Sequence, residues 1–411
     1  MSLQPSDHTV VGNLTVAGNI TSFTNTIGTG PYGNLLTGSR HPLINELNNF
    51  GISTSRDKIT TSGNGTVTKT FGNIEYELSV SDGGDLSSLL TRTRGHYLPG
   101  LGGDASVTVR LRETTYGSGQ EALWGYADNN DGFLFLYDDT GFNVVVLKAG
   151  TRTTTVNQSN FNVDKLDGNG PSGHTLDLTR GYTWNITFSG TYGAVNFRIV
   201  INDDGGSQIV QTIHRHIPTT SPVVENFDLP LRTTLTQSSA SDKKMYVTER
   251  QYSLIGNAMS VVKRTTSPYV EAKTILRSDG FVPLISVKRK SNWCGKMIRL
   301  SSVEFSCNTE IVFQIRVAAN LTGTSFQDIP YTVNTETALQ QDTSATSLSG
   351  GIVKYLGIIP YNINAATAGT IRSNQELDDS IDEDDVLTVC AYTNLADVTR
   401  ISCAVRIIEC W

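Results

Sequence analysis

Charge is what this 411-residue chain is short of: 17% of its residues are charged, against about 25% in an ordinary soluble domain. Hydrophobic residues, at 38%, also fall below the usual ~45–50%, a norm that counts Gly as well. Low charge argues against disorder, which needs high net charge. Ser, Thr, Asn and Gly fill the gap, as they do on half-buried strands whose outer faces carry small polar side chains. The formal charge of −7 excludes a general electrostatic pull toward nucleic acid. Lys288-Arg289-Lys290 is too short for a polyanion groove and reads as an outward strand tip, so no direct nucleic-acid contact is expected.

Long apolar runs are lacking too, and none approaches the ~18 residues of a membrane span. The start, Met1 to Asp7, has neither a basic nor an apolar segment of the secretory kind. A product made in the cytoplasm and not inserted in a membrane is expected. No cysteine precedes Cys294; Cys307, Cys390, Cys403 and Cys410 follow. Their number is odd and no C-x-x-C or Cys/His cluster points to zinc, so they read as small apolar residues of a reduced β core.

Three regions separate by composition: an N-terminal arm over 1–50, a central unit over 51–256 and a C-terminal unit over 257–411. Inside the arm, Gly12-Asn13-Leu14-Thr15-Val16-Ala17 is echoed six residues on by Gly18-Asn19-Ile20-Thr21. Leu14, Val16 and Ile20 share one side of an extended chain, and so few repeats cannot bury that side alone. The arm is therefore expected to pack against other copies or dock on a neighbour, a plain first strand being the alternative. Pro42 to Phe50 reads as a short helix ended by Gly51.

Period-two alternation governs the rest. Tyr182, Trp184, Ile186 and Phe188 alternate with Thr183, Asn185, Thr187 and Ser189; Val195, Phe197, Ile199 and Ile201 repeat the pattern after the Gly190–Gly193 turn. Val107, Val109 and Leu111 alternate with Thr108, Arg110 and Arg112. Phe133–Tyr137 and Asn143–Lys148 form a hairpin across Asp138-Asp139-Thr140-Gly141. Gly256 to Lys273, with Pro268, has no clear period and reads as the boundary. Beyond it Ile311, Phe313, Ile315 and Val317 alternate with Val312, Gln314 and Arg316, residues 320–351 are loop-like, and Val386–Tyr392 and Arg400–Trp411 read as late strands. Frequent strands without amphipathic helices predict an all-β chain: the extended arm, then two antiparallel, jelly-roll-like β-sandwiches.

Few motifs carry chemistry. His214 and His216, at i and i+2 on a strand, face one side and could share a metal, but no third ligand is evident, and a water-facing edge pair is the preferred reading. Asp128-Asn129-Asn130-Asp131-Gly132 starts like a calcium loop, yet Phe133 and Asp139 stand where that loop needs Gly and Glu, so a turn between strands is expected. In Asp378-Asp379-Ser380-Ile381-Asp382-Glu383-Asp384-Asp385 the carboxylates repel one another unless solvated or neutralised; a solvated loop is the default and a Ca²⁺ site the alternative. No nucleophile elbow, P-loop or dinucleotide fingerprint is present. No catalytic residue, cofactor or metal is expected.

Several turn motifs carry a resemblance. They are Arg92-Thr93-Arg94-Gly95-His96-Tyr97-Leu98-Pro99-Gly100, Trp124-Gly125-Tyr126 with Asn130-Asp131-Gly132-Phe133, Asp164 to Gly173, Leu176-Asp177 and Leu229-Pro230-Leu231-Arg232. In that order the segment from Arg92 to Arg232 resembles a β-sandwich module of virion structural proteins from tailed phages and large aquatic DNA viruses. Asn13 to Asn19 is similar to N-terminal segments of phage fibre and baseplate-associated proteins. The resemblance implies a non-enzymatic component of a virus particle, on tail, neck, baseplate or capsid, located in the virion and contacting other virion structural proteins. It brings no catalytic residues. A homo-oligomer, with a trimer favoured, and a contribution to host attachment are expected with it. The alternative is a carbohydrate-binding module for host glycans, with Tyr97, Tyr116, Trp124 and Tyr126 as candidate stacking residues. A second alternative is an extracellular polysaccharide hydrolase, which needs two carboxylates across a groove.

Overall fold

The computed structural model describes residues 40–49, 51–70, 74–202, 208–256, 263–290, 297–330, 337–360, 367–372, 385–394 and 398–410. Leu14, Val16 and Ile20, Cys294, Trp411 and the acidic run up to Asp384 lie outside them. Among the described residues there is no α-helix, and every pairing between strands is antiparallel.

Two sheets face each other in the central unit. In spatial order the first holds Gln208–His216, Val195–Asn202, Tyr182–Ser189, Gly102–Leu111, Lys243–Ile255, Glu75–Val80 and Thr66–Thr70, with Arg40–Leu47 also on Lys243–Ile255. The second holds Thr151–Asn157, Gly141–Lys148, Gly132–Asp138, Glu121–Ala127, Leu231–Thr236, Leu86–Thr91 and Asp57–Ser62. Alternation decides what fills the space between them. Tyr182, Trp184, Ile186 and Phe188 point inward from one sheet and Trp124, Tyr126, Phe133 and Phe135 from the other, all in one buried cluster. Trp124 meets Trp184 at 5.3 Å between ring centroids, and Phe135 meets Trp184 at 4.9 Å. Burying an aromatic of this size stabilises by roughly 1.5–3 kcal/mol, and ring pairs add about 0.5–1.5 kcal/mol.

The hairpin read at Asp138–Gly141 is present, with Asp138 paired to Gly141 and the glycine at φ +96°. The stretch read as a helix is a strand. Arg40–Leu47 pairs with Glu249–Ile255, and Ile44 enters the core at 2% exposure. Leu43, Ile44 and Leu47 fit one helical face as well as they fit an edge strand, and only the open edge of Lys243–Ile255 selects the strand. The strand ends at Leu47, short of Gly51, which takes φ +83°. The central sandwich therefore begins inside what reads as the arm.

A buried network fixes this edge. Arg250, with no exposed side-chain surface, donates to Asp57 and lies 2.7 Å from Glu46 on the Arg40–Leu47 strand. Asn48 donates to the Val247 carbonyl at 2.8 Å and ends the pairing.

A second core is built of buried residues from Ile275 to Ile407, with Val270 packed against it. One of its sheets holds Lys263–Thr266, Thr399–Cys410, Met297–Cys307 and Thr367–Arg372, with Tyr269–Ile275 also on Thr399–Cys410. The other runs Gln327–Asp328, Leu339–Asp342, Val282–Arg289, Val386–Tyr392, Ile311–Val317, Ile352–Ile359. The aperiodic stretch read as a boundary thus already contributes two strands from Lys263 onward. Residues 320–351 hold short strands, including the pair Asn320–Thr322 and Ser347–Ser349. Cys307, Cys390 and Cys403 are buried.

Candidate functional site

The aromatic residues expected to stack on a glycan do not form a site. Trp124 and Tyr126 are wholly buried, Tyr116 is 8% exposed, and Tyr97 is half-buried against Phe188 and Phe227. Both faces a sugar would need are taken by protein: Tyr126 stacks on Tyr252 at 4.9 Å and donates its hydroxyl to the Phe227 carbonyl at 2.6 Å. Glu121–Ala127 is apolar on both faces over Ala122 to Ala127, so its sequence has no period from which to read which rings turn inward.

Three of the segments that carry the resemblance, around Arg94, Asp128 and Arg232, converge as a fastening. Arg94 donates to Asp128 at 3.0 Å and to the Asp228 carbonyl at 2.8 Å. Asp228 accepts from the Tyr97 amide at 2.8 Å and lies 3.1 Å from His96 Nδ1. Arg232 donates to the Asp128 carbonyl at 2.8 Å. Gly95 is obligatory there, since a Cβ would fall 2.4 Å from the Tyr126 hydroxyl. The groups clamp three loops together.

Two of the candidate metal motifs lie within the described residues. Asp128 Oδ1 accepts from the Asn130 and Asp131 amides, each at 2.8 Å, which is the turn expected of that sequence. His214 and His216 do lie on an edge strand, but His214 does not face water. A register shift beside Phe197 turns it inward against Phe161 and Phe197, at 7% exposure. Burial, and next the neighbouring His216, lower its pKa. No group of three or more His, Cys, Asp or Glu side chains is placed to hold a metal among the described residues.

What the sequence pattern did not single out is the outer face of the eight-stranded sheet. Register across five strands sets two adjacent rows of polar side chains. One row reads Ser253, Asp104, Thr187, Asn196, Arg215; the other reads Gln251, Ser106, Asn185, Arg198, Thr212. Asn45 extends the second onto Arg40–Leu47. Four inter-strand steps make each row about 19 Å long.

These groups are tied together, unlike an ordinary solvated face. Asn185 donates to the Asp104 carboxylate and to the Ser106 hydroxyl at 2.8 Å. Arg198 donates to Thr212 at 3.4 Å, Arg215 to Asn196 at 2.9 Å, and Asn196 to Thr187 at 3.3 Å. Asp104, Asn185, Thr212 and Ser253 are buried although they point outward, and Asn185 Oδ1 has no hydrogen-bond partner. Burial raises the Asp104 pKa. Arg40 and the Asn185 hydrogen bond oppose that, and burial prevails because the Arg40 side chain is 58% exposed and its charge is screened. Burial also lowers the Arg198 pKa. The rows hold two arginines, Arg198 and Arg215, and one carboxylate, Asp104, which pairs with a third arginine, Arg40, beside them.

The parity of Asn185 and Thr187 was legible, because both alternate with inward aromatics. That Gly102–Leu111 and Val195–Asn202 flank them, and so complete the rows, depends on strand order.

No protein-family model matches the chain, and no curated protein matches it. Solved structures do, at low identity. Peanut lectin with a nine-residue peptide is 10% identical, with 53% of this chain and 100% of the lectin covered at a TM-score of 0.35. The metal-free lectin I-B4 of Griffonia simplicifolia is 10% identical over 50% of this chain and 96% of its own, at 0.32. A Shewanella oneidensis MR-1 protein of unknown function is 12% identical over 61% and 100%, at 0.34. Each is something the chain is similar to, and similarity of this degree carries no argument about what the chain does.

Proposed function

We propose that this is a non-enzymatic glycan-binding protein whose binding surface is the outer face of the eight-stranded central sheet. The observation that carries the reading is the pair of polar rows, whose half-buried Ser106, Thr187, Asn196, Arg198 and Arg215 are held in place by the buried Asn185 and Asp104 between them. Sugars present hydroxyls on every ring, and a binding surface for them needs several convergent donors and acceptors whose positions are fixed in advance. Hydroxyls, amides and guanidinium groups are held in place here by one another, along a strip long enough for several sugar rings. The arginine excess favours acidic glycans, since guanidinium pairs with carboxylate or sulfate through two parallel hydrogen bonds. Hydrolysis is disfavoured on this surface, because two carboxylates are needed across the scissile bond and the rows supply Asp104 alone.

Titration of the full chain with acidic and neutral oligosaccharides, preceded by a glycan array, tests the reading. Acidic glycans should bind more tightly, more weakly in high salt, and at least ~10-fold more weakly to Arg215→Ala or Asn185→Ala, the size of a lost charge-assisted or buried hydrogen bond. Equal binding by both variants, or release of reducing sugar by the wild type, would remove it.

A second reading, a structural component of a virus particle, is supported by the resemblance of the Arg92–Arg232 motifs, three of which meet around Asp128 and Asp228. It is compatible with glycan binding. Imaging of particles labelled with an antibody to this chain tests it, and particles that carry no label would exclude it.

A further inference from the structure

The C-terminal unit has an open edge of unusual composition. Ile352–Ile359 is the last strand of its sheet, paired on one side with Ile311–Val317, and no strand covers its other side among the described residues. Its outer face carries Val353, Leu356 and Ile358, exposed at 45%, 56% and 59%. Across the same face Ile358 lies opposite Val312, Val312 opposite Tyr392, and Tyr392 contacts the Phe281 ring at 5.8 Å. An apolar strip therefore runs inward from the edge. At the opposite edge of this sheet stands Gln327–Asp328, two residues long and polar. Proteins usually guard sheet edges in that second way, with charge, brevity or a bulge.

The guard on Ile352–Ile359 covers only its beginning. The register slips between Val353 and Tyr355, leaving Lys354 in the bulge. From Tyr355 to Ile359 the strand is regular and uncharged, and Pro360, with no amide hydrogen, cannot extend a ladder.

We propose that this edge is a docking surface for a second copy of the same chain, pairing antiparallel about a two-fold axis at Gly357. The strand's own register favours this occupant. Antiparallel partners must share a face, and an axis at Gly357 sets Leu356 of one copy against Ile358 of the other, and Tyr355 against Ile359. Like side chains meet on both faces, the self-complementarity that a two-fold contact requires. Lys354 would fall opposite Pro360 of the other copy, outside the ladder, so no two charges are brought together. Gly357 leaves the axis clear, and it is fixed as glycine from within: a Cβ would lie 2.4 Å from Phe313 Cζ. The two apolar strips become continuous across the axis. The contact lies in the C-terminal unit, so it stands or falls independently of glycan binding.

Sedimentation of the full chain over a concentration series, with hydrogen exchange at each concentration, tests the proposal. The wild type should associate as concentration rises, with amides of 355–359 gaining protection in parallel. Leu356→Lys and, as a milder change that keeps strand propensity, Ile358→Thr should halve the mass of the associated species while melting like the wild type. Equal masses for wild type and folded variants would overturn it, as would protection at 355–359 that ignores concentration. If the variants fail to fold, the exchange result on the wild type decides alone.

Discussion

Asn185 donates its side-chain amide to the Ser106 hydroxyl at 2.8 Å, across strands whose partnership no local sequence feature announces. The same side chain lies opposite Arg198 on its other flank. One residue thus joins three strands on the outer face, directly behind the core ring of Trp184.

Trp124 separates a core role from a glycan-stacking role. Trp124→Ala should cost about 3–5 kcal/mol, as for large core aromatics, measurable by urea unfolding. Trp124→Phe should leave glycan affinity unchanged; a selective loss of affinity in a fully folded Trp124→Phe protein would restore the stacking role.

Arg250 pins the Arg40–Leu47 strand. Arg250→Ala leaves Asp57 and Glu46 together without their cation, a change that costs about 3–5 kcal/mol in buried pairs. Burial already raises the Glu46 pKa, with Arg250 opposing. Hydrogen exchange of residues 40–47 should rise before that of the rest of the central sheet.

Asp104 gives a pH signature of definite sign. Its folded pKa is raised, chiefly by burial, above an unfolded value of about 3.9. The ionised carboxylate carries a desolvation cost in the folded state that the unfolded chain does not bear. Lowering the pH through the folded pKa removes that cost. Asp104→Asn should therefore be as stable as the wild type or more so at neutral pH, with the difference shrinking as pH falls. A variant whose deficit is largest at neutral pH would show that Arg40 outweighs desolvation.

The buried thiols should be inert in the folded state. Burial pushes Cys390 up to about 11 and Cys403 well up too, and the thiolate is the reactive form. Alkylation near pH 8 should spare Cys307, Cys390 and Cys403 until denaturant is added, as read by peptide mass spectrometry.

Fold class was legible because period two is a local property. Tyr182 to Ile201 states which side chains turn inward, and the structure places them there. The Pro42–Phe50 stretch misled because three apolar residues satisfy a helix and an edge strand alike. The stacking aromatics misled because Trp124 and Tyr126 lie near loop ends in sequence but inside the sandwich in space. His214 misled because a single register shift turned it from the edge to the core.

Local sequence was enough to give an all-β chain, its inward and outward residues on the alternating strands, and its low content of charge. Those follow from side-chain period and composition, which need no knowledge of neighbours. The tertiary structure alone decided that Asp104, Ser106, Asn185, Arg198, Thr212 and Arg215 share one face, and that Ile352–Ile359 ends a sheet. Both depend on strand order, which is set by how two sheets close over a common core and is written in no single segment.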